Sequence, residues 1–262
     1  MIRFVVFHTG PDTLRVFRPL MEAGRKALTR TTPFSEYIVL TDKETAPFLE
    51  NDFQIEVCAP SDTPLMRQFV EAQANYEAKA EPGLTVLAGT DCAAARNLGE
   101  SCPYDLGITY RVRGRGHINN LAYINDHDMG AWFLRRAIKC MPAEPVWYAD
   151  QESWYSALGP FSRWELLDPD AEYDSTRSTV VNGRLIHLLP CRTHNYFVKG
   201  SGCISGDARD SWVFHYKGVK EKMPSSVDFY ILRRGPRLLK KSELRRIKRN
   251  ETKAAKKKQG KK

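Results

Sequence analysis

A carboxylate and an imidazole stand at the ends of two short apolar runs that lie far apart in the chain. Asp91 follows Leu84-Thr85-Val86-Leu87-Ala88 through Gly89 and Thr90. His215 ends Trp212-Val213-Phe214 and is followed by Tyr216, Lys217, Gly218 and Lys220. A buried strand that hands its last polar residue to the carboxyl edge of a sheet is how open α/β proteins assemble ligand sites. Carboxylate oxygen and imidazole nitrogen can share a divalent cation such as Mn²⁺ or Mg²⁺. A glycine lets backbone approach a phosphate, and ammonium groups neutralise its charge. Taken singly the same residues have ordinary uses, since an Asp after a strand often serves as a turn or helix cap. Both readings of Asp91 stay open at this level.

The elements that must position these groups follow from periodicity. Ile2–Phe7 reads as a continuous apolar strand, and Leu14, Phe17, Met21 and Leu28 then recur at helical spacing up to Thr31-Thr32-Pro33. Residues 37–40 and Gln54–Val57 read as strands. Ser61-Asp62-Thr63-Pro64 has the form of a helix cap with an early proline, and 65–80 follows as a helix with Phe69, Ala72, Gln73 and Tyr76 on one face. Pro82-Gly83 breaks it before the strand that leads to Asp91. Such alternation implies a parallel sheet covered on both faces. The second half is less regular. Leu106–Tyr110, 121–124 and 185–189 read as strands, 128–140 as a helix capped by Asp128, and 151–158 as a short helix with Asp150 as its cap. The expectation is one α/β domain over 1–232, Rossmann-like and parallel at first and mixed later.

Charge divides the chain sharply. Residues 233–262 carry 15 Lys/Arg against 2 Asp/Glu, a net of +13, so the preceding part, with 25 against 29, has a net of −4. The tail's like charge cannot repay the entropy of ordering, and it is expected to be largely disordered. No stretch approaches the roughly 20 apolar residues of a membrane span. The six cysteines lack paired spacing, and without an export signal they read as reduced thiols of a cytoplasmic protein. Cys191, His194 and Cys203 do not have zinc-ligand spacing. Arg111–Gly116 contains a Gly-x-Gly but not the full dinucleotide fingerprint, and reads as a basic loop. His117, His187 and His194 read as surface or hydrogen-bonded residues.

Several short strings occur in a fixed order: Gly89-Thr90-Asp91, Arg96-Asn97-Leu98, Ile108-Thr109-Tyr110, Ile118-Asn119-Asn120-Leu121, Trp147-Tyr148-Ala149-Asp150-Gln151 and His215-Tyr216-Lys217-Gly218-Val219-Lys220. This succession resembles the nucleotide-sugar glycosyltransferases of the GT-A fold, especially those related to glycogenin and the bacterial lipopolysaccharide sugar transferases. The resemblance covers most of residues 1–224. It implies transfer of a sugar from a nucleoside diphosphate donor to an acceptor that the sequence does not identify. It also implies Asp91 and His215 as ligands of Mn²⁺ or Mg²⁺, and Gly218 and Lys220 at the diphosphate. Phe7, His8 and Thr9 would lie under the nucleoside. Arg67 and Thr90 would line the donor site, Asn119 and Gln151 would position hydroxyls, and Asp150 would face the sugar and acceptor as the catalytic carboxylate.

The chain departs from the family string at one telling place, because the first Asp of D-x-D is Gly89 here. That loss opens a rival expectation of another class: a non-catalytic protein of the same fold whose basic tail binds nucleic acid, an anionic surface or an assembly partner by counterion release.

Overall fold

The apolar runs of Ile2–Phe7, 37–40 and Leu84–Ala88 have to be covered on both sides, whereas Gln54–Val57 alternates and stays partly exposed. In the computed structural model, which describes residues 1–110, 118–142, 144, 149–159, 176–198, 211–217 and 219–228 (Asn119 and Asn120 by backbone alone), they line up side by side. Strands β1 (Ile2–Phe7), β2 (Ser35–Thr41), β3 (Gln54–Val57) and β4 (Leu84–Ala88) run parallel in the order β3-β2-β1-β4. The chain moves outward from β1 to β3 and then returns to β1's other side. The crevice beyond Phe7 and Ala88 is therefore a topological switch point, where open α/β sheets bind ligands.

The sheet continues through β7 (Ile118–Ile124), β6 (Leu106–Tyr110), β9 (Arg184–Pro190) and β8 (Arg177–Val181), making eight strands with mixed directions. β7 is antiparallel to both β4 and β6, β9 is parallel to β6, and β8 and β9 form a hairpin. The expected parallel first half and mixed second half are both present. A second sheet orders β10 (Tyr196–Phe197), β11 (Val213–His215) and β5 (Cys92–Ala94), with β5 antiparallel to β11.

Side-chain alternation along the strands sorts the core into layers. On β1, Val5 packs with α2 (Leu65–Glu77), α3 (His127–Cys140) and α4 (Ala149–Ala157), whereas Phe4 and Val6 face the layer that includes Met21 and Leu28 of α1 (Leu14–Thr31). A third cluster joins α1 to the small sheet and to α6 (Met223–Ser226). Within it Ala23 and Ala27 of α1 meet Ala93 and Ala95. Gly24 lies so close to this seam that a Cβ there would stand 3.1 Å from the Cys92 carbonyl oxygen and 3.0 Å from the Tyr37 hydroxyl. Small residues thus let the helix press on β5, at the place where the chain leaves Asp91.

Several local expectations need correction. Asp126, not Asp128, caps α3: its side chain accepts from the Met129 N–H at 3.0 Å, and Asp128 sits in the first turn. The Ser61–Pro64 string gives α2 no side-chain cap, because the Ser61 and Thr63 hydroxyls bond each other and turn toward Glu71. α2 ends at Glu77 rather than residue 80. α4 begins at Ala149, which places Asp150 and Gln151 within its first turn. The basic loop expected at residues 111–116, together with His117, Trp147, Tyr148, Cys203, Gly218 and the tail 233–262, lies outside the described residues. The five described cysteines are free thiols, and no described helix is long and apolar enough to cross a membrane.

One polar pair is buried at the joint of α2 and α3. Glu77, whose side chain is 0% exposed, holds His127 Nδ1 at 2.7 Å. Burial raises the Glu77 carboxyl against the opposing pull of His127, and the bond to Glu77 raises the His127 imidazole. Removing one partner leaves the other buried and unpaired, so His127→Ala is expected to cost on the order of 3 kcal/mol in chemical denaturation. A raised His value contributes stability that is fully present below its unfolded value of about 6.5 and is lost as pH rises through the folded value. Native protein should therefore lose stability relative to the Glu77→Gln/His127→Ala double variant, which leaves no buried carboxyl behind, on going from about pH 6 to pH 9. A pH-independent difference well under 1 kcal/mol would remove this pair from the helix joint.

Candidate functional site

The two leading residues meet because two sheets share one turn. After β4 the chain turns tightly, with the Cys92 N–H donating to the Gly89 carbonyl at 3.1 Å, and enters β5. β11 then pairs against β5 with His215 opposite Cys92, and the Tyr216 N–H donates to the Asp91 carbonyl at 2.8 Å. The backbone seam brings the side chains together. His215 Nε2 lies 3.4 Å from Asp91 Oδ1, and Lys220 Nζ lies 3.7 Å from Asp91 Oδ2.

His215 is oriented from its other side. Its Nδ1 lies 3.2 Å from Asn195 Oδ1, the Asn195 amide donates to Thr109 Oγ1 at 3.4 Å, and the Thr109 hydroxyl donates to the Leu121 carbonyl at 3.0 Å. Along this relay Nδ1 faces the Asn195 side-chain oxygen, and Nε2 is the nitrogen turned toward Asp91. A partner on the distal nitrogen is how metal-binding histidines are commonly fixed. Asn195 was not singled out by the sequence reading. It lies just past α5 (Cys191–His194), in a stretch with no motif to mark it.

Asp91 is buried, with its side chain 10% exposed. Burial would push its carboxyl up, but the His215 imidazole and the Lys220 ammonium outweigh that and hold it well below the usual carboxylate range. Gly89 acquires a steric meaning here. A Cβ at that position would stand 2.7 Å from Asp91 Oδ1, so the Asp91 carboxylate fills the space next to the strand end that a side chain at 89 would need. The departure from D-x-D and the position of Asp91 are one packing fact.

Asp91, Cys92 and His215 each offer a ligand atom within 4.8 Å of the others. The Cys92 thiol is buried in the apolar cluster beneath β4, and burial raises it well above its ordinary value. That leaves an oxygen and a nitrogen facing outward, a donor set that suits a hard divalent cation whose remaining positions are taken by phosphate oxygens.

From this centre a line of contacts runs to the first strand. Lys220 Nζ lies over the Phe17 ring at 5.0 Å, and the same ring packs against His8 at 5.0 Å. Phe17, read from sequence as a core residue of the first helix, is half-buried and joins the two. His8 is buried, and burial lowers its imidazole. Its neighbours Phe7 and Thr9 line a cleft of about 380 Å³ together with Asp42, Ser61, Gln68 and Glu71. Phe7 sits edge-on to Phe69 at 5.6 Å, which gives the cleft a rigid apolar side. Asp42 accepts from the backbone N–H groups of Gly10 and Thr45 at 3.0 and 2.6 Å and ties the loop after β1 to β2.

The remaining expected residues are distributed as follows. Arg67 stands on α2 and donates to Glu71 at 2.9 Å, bracing the cleft wall rather than reaching Asp91. Thr90 is buried beside Asp91. Asp150 is buried in the first turn of α4, with Gln151 half-buried next to it. Burial raises the Asp150 carboxyl, opposed by backbone bonds and by the charge of Lys217, two residues past His215. Asn119 belongs to β7. Of the other histidines, His194 is buried and bonded to the Ser101 carbonyl at 3.1 Å, and His187 stacks on Tyr104 at 3.7 Å; both fit the structural roles expected of them.

No protein-family model and no curated protein matches the chain. Solved structures do show similarity. The apo form of glycosyltransferase GlyE of Streptococcus pneumoniae TIGR4 is 15% identical, over 61% of this chain and 44% of that one, with a TM-score of 0.43. The chain thus spans less than half the length of that protein. A glycosyltransferase involved in glycosylation of the major capsid of PBCV-1 is 12% identical over 87% and 99% of the two chains, TM-score 0.47. The galactosyltransferase LgtC, in complex with donor and acceptor sugar analogs, is 12% identical over 86% and 95%, TM-score 0.47. These likenesses are low in both identity and TM-score, and what the chain's own site can do rests on the side chains described above.

Proposed function

We propose that residues 1–232 form a glycosyltransferase that moves a sugar from a nucleoside diphosphate donor to an acceptor hydroxyl. One observation carries this reading: a buried carboxylate, paired with His215 and Lys220, stands at the topological switch point of the sheet, and Phe17 and His8 link it to the strand end that lines a cleft of about 380 Å³. The two ends of the crevice differ in charge. The cleft by Phe7 and Thr9 presents Asp42, Ser61 and Glu71, acceptors suited to ribose and base hydrogens. The opposite end presents His215, Lys217 and Lys220, suited to phosphate oxygens.

Asp91 and His215 would hold Mn²⁺ or Mg²⁺, which when bound supplies charge stabilisation for the departing diphosphate. Lys220, with Gly218 in the same segment, would contact the diphosphate, and the ammonium offsets the charge that develops as the bond from sugar carbon to phosphate oxygen breaks. Thr90 and Arg67 would shape the donor site from either wall, with His8 beneath it. Asp150 would act as general base, accepting the proton from the acceptor hydroxyl as that oxygen forms its bond to the sugar carbon. A buried carboxyl raised above its ordinary value is suited to taking a proton near neutral pH. Asn119 and Gln151 would orient sugar or acceptor hydroxyls.

Thermal shift against UDP, GDP, CDP and ADP, with and without Mn²⁺, tests the donor site. At a concentration 100 times its Kd, a native-state ligand stabilises the fold by about 2.7 kcal/mol. Such stabilisation should require Mn²⁺ for at least one diphosphate and be lost in both Asp91→Ala and His215→Ala. Unchanged Mn²⁺-dependent binding in either variant means that the centre lies elsewhere.

Asp150→Asn should leave that stabilisation intact while sugar transfer falls by roughly 10²–10⁴-fold, the usual worth of a general base. Undiminished turnover at equal donor affinity excludes Asp150 from the chemistry.

A further inference from the structure

Lys220 sits where a second cation would have to sit. Its ammonium is 3.7 Å from Asp91 Oδ2, while His215 Nε2 lies 3.4 Å from Oδ1, so each carboxylate oxygen already faces a nitrogen. The carboxylate lies back over Gly89, where a Cβ would be 2.7 Å from Oδ1, and its side chain is 10% exposed. Lys220 is less tightly held. Its side chain is 40% exposed, starts from a short helical turn at Lys220–Lys222, and its ammonium lies 5.0 Å from the Phe17 ring centroid while it faces Asp91. A long, partly exposed side chain can leave the carboxylate; the buried Asp91 cannot follow it.

We propose that Lys220 is the resident cation of this centre and that a divalent ion and a diphosphate bind as an obligatory pair, the diphosphate drawing the ammonium off Asp91 as the divalent ion replaces it. This rests on the donor-site reading above. A divalent ion and an ammonium on the same carboxylate repel each other, so the ion alone binds weakly. A diphosphate offers the ammonium a second anion, and the two ligands then share the charge. Because coupling is reciprocal, each ligand tightens the other by the same factor. Asp91 is the one carboxylate at this strand end, so an ammonium at Oδ2 and an ion at Oδ1 would share it against their mutual repulsion, which makes the exchange a consequence of this chain's own departure.

The test measures Mn²⁺ binding directly, by the electron paramagnetic resonance signal of the free ion, for the full chain alone and with saturating UDP, GDP, CDP or ADP. Native protein should bind Mn²⁺ at least about tenfold more tightly with the preferred diphosphate than without it. In Lys220→Met the ion alone should bind at least about tenfold more tightly than it does to native protein, and the coupling to diphosphate should shrink to what direct ligation by the phosphate oxygens supplies. Lys220→Gln, which keeps a polar side chain, should behave in the same direction if the methionine variant folds poorly. Unchanged or weaker Mn²⁺ binding in folded Lys220 variants, with coupling to diphosphate retained, overturns the resident-cation role and leaves the donor site standing. If native protein binds no Mn²⁺ with any of the four diphosphates, the donor-site reading and this inference fail together.

Discussion

The antiparallel seam between β5 and β11 is the constraint on which the candidate site depends. It is short, three residues on each strand, and is bracketed by backbone bonds from the Tyr216 N–H to the Asp91 carbonyl and from the Ala95 N–H to the Trp212 carbonyl, each 2.8 Å. Its register puts His215 opposite Cys92, so a shift by one residue would turn the imidazole to the opposite face. What holds the register is packing on both sides. Phe214 and Tyr216 are fully buried against the alanine-lined face of α1, and Val213 faces the cluster under β4. A long-range pairing of this kind becomes stable only once the rest of the domain is in place.

That seam also accounts for the electrostatics. A carboxylate buried next to a core is costly unless it is paired, and here the compensation comes from the segment that the seam delivers: His215 from the strand end, Lys220 from the turn that follows. The same segment carries Lys217 toward Asp150 on α4. Positive charge is thereby concentrated on one stretch of chain, between an acidic cleft formed by the β1–β3 side and a buried carboxyl on the helix side. Fold and charge distribution agree about where an anionic, hydroxyl-rich ligand would lie.

Much of this was legible in the sequence. The uninterrupted apolar runs of β1 and β4 required burial on both faces, and the spacing of Leu14, Met21 and Leu28 located α1. Asp91 and His215 stood out because each closes such a run. Other features were hidden for physical reasons. β5 is a run of one cysteine and two alanines, too short and too small to show periodicity, yet it is what carries Asp91 to His215. β8 could have been found, since Asn182-Gly183, with φ of 49° and 76°, is a two-residue hairpin signal that marks the strand before it. Asn195 and Phe17 act through tertiary contacts alone, and nothing local distinguishes them from other polar and aromatic residues. Gly89 was legible as a missing carboxylate but not as the space into which Asp91 folds.

The most direct measurement is a crystal structure of the protein grown with Mn²⁺ and the nucleoside diphosphate that stabilises it best, with data collected to reveal the anomalous signal of manganese. The donor-site account predicts an anomalous peak bonded to Asp91 and His215 Nε2, diphosphate oxygens completing its shell, the nucleoside in the cleft by Phe7 and Thr9, and Lys220 turned from Asp91 to the phosphates. A diphosphate bound elsewhere, or bound at this crevice with Lys220 still on Asp91 and no manganese peak, would contradict it.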